Sequence, residues 1–110
     1  MMSSSQSHAA LFESLCEEYA GVSGVTVPEG GSGFGSQAIK INKSIFAMLV
    51  SERLVVKLPA ARVAELISSG QGMPFDAGKG KPMKQWVTLS VDDDAGRRLV
   101  AEAMAFVGRR

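Results

Sequence analysis

Cysteine is almost missing from this sequence: Cys16 is the only one in 110 residues, so the chain cannot close an internal disulfide and lacks the usual mark of a small secreted domain. Histidine is as scarce, with His8 alone. Neither a CxxC nor an HExxH metal spacing occurs, and no Ser/His/Asp or Cys/His set for nucleophilic catalysis can be assembled. Aromatic residues make up only 6% of the chain, and neither sign of charge dominates, the net being +1. The longest unbroken apolar run, residues 45–50, is far too short to span a bilayer. The opening Met1-Met2-Ser3-Ser4-Ser5 has no basic segment followed by an apolar one, so no signal peptide is expected and the expected compartment is the cytoplasm.

Against these absences stands a hydrophobic content of 45% with 21% charged residues, which excludes a chain that is disordered overall. At 11.6 kDa one domain over residues 1–110 is expected, burying roughly two thirds of the unfolded chain's surface. The Ser-rich residues 1–6 are expected to fray. Charge is unevenly spread: residues 1–39 carry four acids and no base, residues 40–84 eight bases and three acids, and residues 85–110 four of each. The basic middle is where an anion would dock.

Leu11, Phe12, Leu15, Cys16 and Tyr19 recur at helical spacing and leave Glu13, Glu17 and Glu18 for water, which predicts a first amphipathic helix over residues 7–20. The glycine-dense residues 25–36 read as a loop. Three short runs follow, residues 37–41, 45–50 and 53–58, separated by hairpin-length connections, and they predict an antiparallel meander. The second run is apolar throughout and is expected to be the central, most buried strand. Pro59 opens a second helix whose apolar face is Val63, Leu66 and Ile67, with Gly70 ending it. Residues 70–83 read as a long irregular stretch, and residues 86–91 as a further strand with Val87, Leu89 and Val91 on one face. Part of the preceding stretch is expected to pair with that strand. Asp92, Asp93 and Asp94 cap a third helix to about residue 107. The order α-β(3)-α-β(1-2)-α predicts an α+β, two-layer fold: an antiparallel sheet with its helices on one face.

Two glycine segments invite a nucleotide reading and fail it. Residues 33–38 fit a dinucleotide fingerprint in letters, but the Ile39/Ile41 alternation places a strand where that fingerprint needs a helix. Gly78-Lys79-Gly80-Lys81 lacks both the spacing of a phosphate loop and the hydroxyl after its lysine. Cys16 belongs to the first helix's apolar face, where a thiol is packing material. No catalytic residue, cofactor or metal ligand is therefore expected, and the chain does not read as an enzyme. What remains is a contact surface: Lys79, Lys81 and Lys84 beside Trp86, with Lys40, Lys43 and Arg53 on the meander, combine charge with a stacking ring. Trp86 and Val55 also stand among polar neighbours, where an apolar contact to a second copy would cover them.

Over residues 33–107 the chain resembles the N-terminal domain of TfoX/Sxy-type proteins and, more distantly, YjbR-like proteins. The residues carrying the resemblance are Gly33-Phe34-Gly35, the hairpin from Ile39-Lys40-Ile41 through Ile45-Phe46-Ala47-Met48-Leu49, the strand Leu54-Val55-Val56-Lys57-Leu58, and Gly72-Met73-Pro74-Phe75 followed by Gly80-Lys81. The resemblance implies an α+β fold of the secretion-chaperone-like kind, no catalytic residues and, for some members, a role in regulating bacterial competence. The expected function is a non-catalytic regulatory or protein-interaction module. The expected partner is a protein, a weak homodimer is slightly favoured over a monomer, and no membrane contact is expected. The alternative is weak nucleic-acid binding through the basic residues 40–84.

Overall fold

The structure is a computed structural model and describes residues 8–27, 38–50, 52–75 and 83–109. The expectations for residues 1–6 and for Lys79 and Lys81 lie outside the described residues. In chain order the elements are α1 (Ala9–Tyr19), β1 (Val25–Thr26), β2 (Ala38–Ile41), β3 (Ser44–Val50), β4 (Arg53–Lys57), α2 (Ala60–Ser68), β5 (Gly72–Pro74), β6 (Trp86–Leu89) and α3 (Asp93–Gly108). The strands form one antiparallel sheet in the order β1-β2-β3-β4-β6-β5. This is an α+β two-layer fold.

Local chemistry explains the boundaries. Asn42 and Lys43 both take positive φ, 52° and 74°, between the paired residues Ile41 and Ser44, as the two-residue turn that best matches strand twist requires. At the end of α2, Gly70 at φ 82° lets its own amide reach Ile67 O and that of Gln71 reach Leu66 O, closing the helix with the paired bonds of a Schellman motif. Asp92 accepts a hydrogen bond from the Ala95 amide at 3.0 Å and so caps α3, as its position in the sequence predicts. Pro59 stands just outside α2, at the cap, one residue earlier than the first-turn position expected of it.

All three helices cover one face. Leu11, Phe12 and Leu15 of α1, Val63 and Leu66 of α2, and Leu99, Val100, Ala103 and Val107 of α3 join Ile39, Phe46, Ala47, Leu54, Val56, Val87 and Leu89 of the strands in a single cluster. Near its edge the rings of Tyr19 and Phe46 meet edge to face, with centroids 6.0 Å apart. Gly72 is fitted to this layer: a Cβ there would stand 2.5 Å from Val87 Cγ2 and 3.4 Å from Leu66 Cβ. A side chain would clash with Val87 and force one of the two strands to shift.

Two expectations need correction. Val25–Thr26, read as loop, pairs with β2 as an edge strand; two residues are too few to show a period. The most buried strand is β4, where Leu54, Val55 and Val56 are all buried, whereas β3 buries only Phe46 and Ala47. The apolar run in β3 mimics a strand covered on both sides, but one of its sides has no helix over it among the described residues. His8, which follows closely on the residues expected to fray, is 4% exposed. Its Nδ1 accepts from the Leu54 amide at 3.0 Å, which leaves the proton on Nε2 to be donated to Val91 O, also at 3.0 Å. Its own backbone amide donates to Glu52 O at 2.7 Å.

Two stability measurements check this packing. Leu54→Ala is expected to lower the free energy of unfolding by about 2–5 kcal/mol, and by more than Leu49→Ala, because Leu49 is only half-buried; equal denaturant midpoints would contradict the burial order. His8→Ala strands the buried Leu54 amide and is expected to cost about 1–3 kcal/mol; an unchanged midpoint would mean that the imidazole does not fasten α1.

Candidate interaction face

Residues paired directly across antiparallel strands share a face, so the registers define what lies opposite the helices. Met48 stands beside Val55, Val55 beside Thr88, and Thr88 beside Met73. Val50 pairs with Arg53, Lys57 with Trp86, and Lys40 with Ile45. The shift of register after Ile39 lets Phe46 and Ala47 both enter the core and turns Ile45 to the other side. None of Ile45, Met48, Val50, Val55, Met73 and Trp86 belongs to the core cluster or packs against it. Val55 is nonetheless buried at the centre of this second face, while Val50 and Met73 are 37% and 45% exposed.

The cations are arranged around that apolar centre. The Lys57 ammonium lies 5.7 Å from the centroid of the Trp86 ring, within cation–π range. Lys40 is exposed at the same end of the sheet, and Lys43 and Lys84 occupy the turns that precede β3 and β6. Strand spacing of about 4.8 Å puts Lys40 on β2 and Trp86 on β6 about 14 Å apart across the sheet. A groove of about 540 Å³ lined by Lys57, Ala60, Met83, Lys84, Gln85 and Trp86 opens at this end. It adjoins an apolar one of about 320 Å³ between α2 and the segment holding Pro74 and Met83. Arg53 holds the opposite end of the face.

Of the residues named from sequence, Lys40, Lys43, Lys84 and Trp86 therefore gather at one end of the sheet. Arg53, also named from sequence, stands at the opposite end, and Lys57 was not among the named residues, although it lies in the basic middle. Their strand positions decide their direction, and that depends on register. Cys16 is half-buried in α1, and burial, with Glu13 and Glu17 nearby, raises its pKa above the ordinary thiol value. Its thiolate fraction at neutral pH is correspondingly depressed, which disfavours nucleophilic chemistry. Among the described residues, no group of three or more His, Cys, Asp or Glu side chains could hold a metal ion, and no helix is long and apolar enough to cross a membrane.

Lys43 carries one further signal. A positive φ at a non-glycine side chain costs about 1–2 kcal/mol, and glycine is the residue usual at the second position of such a turn. Lys43→Gly is expected to stabilise the hairpin by about 0.5–1 kcal/mol, read as a raised denaturant midpoint; a lowered midpoint would mean that the lysine side chain supports the fold. Comparison with known proteins returns no similarity to set beside this geometry: no family model, no curated protein and no solved structure matches the chain.

Proposed function

We propose that this protein is a non-catalytic regulatory or protein-interaction module of the kind the TfoX N-terminal resemblance implies, and that it binds its partner through the face of the sheet opposite the helices. The observation that carries this reading is the apolar content of that face: Ile45, Met48 and Val50 on β3 and Val55 on β4 stand where no helix lies over them among the described residues. Soluble monomers seldom expose contiguous apolar surface unless it meets something. A second reading, nucleic-acid contact, is favoured by the grouping of Lys40, Lys43, Lys57 and Lys84 with the Trp86 ring. It ranks lower because the chain's net charge is only +1 and the face offers a single aromatic platform.

Affinity capture from the native cell, with and without nuclease, separates the two. Protein partners that survive nuclease and disappear for Val50→Glu are expected. For nucleic acid, purified protein is expected to show only the non-specific range of roughly 10⁻⁴–10⁻⁶ M, falling steeply with salt; nanomolar, sequence-selective binding at physiological salt would reverse the ranking.

A further inference from the structure

We infer that the occupant of the open sheet face is an amphipathic helix with an acidic flank, contributed by a partner protein. This rests on the interaction reading above and adds to it the partner's form and charge.

The form follows from what the sheet leaves available. A strand could join only at an edge, and both edges are poor: β1 is two residues long, and β5 is three and includes Pro74, which has no amide to donate. Lengthening the sheet is therefore disfavoured, and the broad face remains. A helix is what fills a sheet face of this width, as α1, α2 and α3 do on the other side.

The charge follows from the strand positions on that face. Lys40, Arg53 and Lys57 are there, and no Asp or Glu is; Glu52 lies beyond Arg53 in the β3–β4 turn. Neither Lys40, Arg53 nor Lys57 takes part in an ion pair among those of the described residues, which use Arg62 and Arg97 instead. A second copy presenting the same face would set these cations against their own kind, and like charges at an interface are selected against. An acidic helix places carboxylates against Lys40 and Lys57 at one end and Arg53 at the other. Its apolar side chains then meet Ile45, Met48 and Val50.

Trp86, the only tryptophan of the chain, lies on the face and reports the test directly. The full chain is titrated with a leucine/glutamate amphipathic peptide about 18 residues long, roughly five helical turns. In parallel it is titrated with the same peptide bearing glutamine for glutamate and with a single-stranded thymidylate oligonucleotide. The expected result is a saturable shift of Trp86 emission to shorter wavelength with the acidic peptide. Affinity is expected to be at least about tenfold weaker for the glutamine peptide and for Lys40→Glu/Arg53→Glu. A lysine version of the peptide is expected to bind that double variant better than it binds the unmodified chain. Should the double variant lose its circular dichroism spectrum, Lys40→Glu alone, at an exposed position, gives the same comparison.

Equal binding of the acidic and glutamine peptides would overturn the acidic partner while leaving the interaction face standing. Tighter binding of the oligonucleotide would overturn it in favour of nucleic acid. A doubled mass with a Trp86 shift on concentrating the protein alone would overturn it in favour of a second copy. No shift with any probe would remove the interaction reading as well.

Discussion

The three helices of the described residues share one layer, and the rest of the structure depends on that. A six-stranded sheet has two faces to manage, and the helices close a single cluster with one of them. On the covered side, packing is tight enough that glycine is required at residue 72. On the other side, the same strands that supply the core also present Ile45, Met48 and Val50. Val55 is buried there too, between Arg53 and Lys57 of the same strand. A sheet built this way draws its core from one side and leaves apolar side chains without a helix over them, among the described residues, on the other.

Electrostatics adds a direction to that asymmetry. The helices are joined along their outer side by Arg62 with Glu102 and Glu65 and by Arg97 with Glu18. All of these are well exposed to solvent and so contribute little to stability. On that side Arg62 and Arg97 are paired, while Glu13 and Glu17 of α1 and Arg98 of α3 stay in water. The sheet side has the reverse character. Lys40, Arg53 and Lys57 surround an apolar centre, with Lys43 and Lys84 at the margin, so positive charge gathers on that side.

The sequence made the elements legible where a period was long enough to read. The spacing of Leu11, Phe12 and Leu15 marks α1, the Asp92 cap marks α3, and the hairpin-length connections mark the meander. What escaped depends on register or on distant partners. A one-residue shift at Ile39 changes which of Ile45, Phe46 and Ala47 face the core, and no pattern in β3 announces it. An apolar run reads the same whether both sides are covered or only one. The two residues of β1 are too few to carry a signal. The site was half legible: composition points to the basic middle, Arg53 included, and to Trp86, but Lys57 acquires meaning only once β4 has neighbours.

His8 has an effect on the sheet that packing alone would not give it. Leu54 sits within β4, yet its amide donates to the imidazole of a residue 46 positions earlier rather than to a strand. The usual tie between an amide's protection and the opening of its sheet is therefore broken at that one position. Solvent reaches it whenever α1 lifts, even with every ladder intact. The amide of Leu54 is thus a built-in gauge of how often the first helix leaves the body of the protein, separable from the opening of the strands on either side.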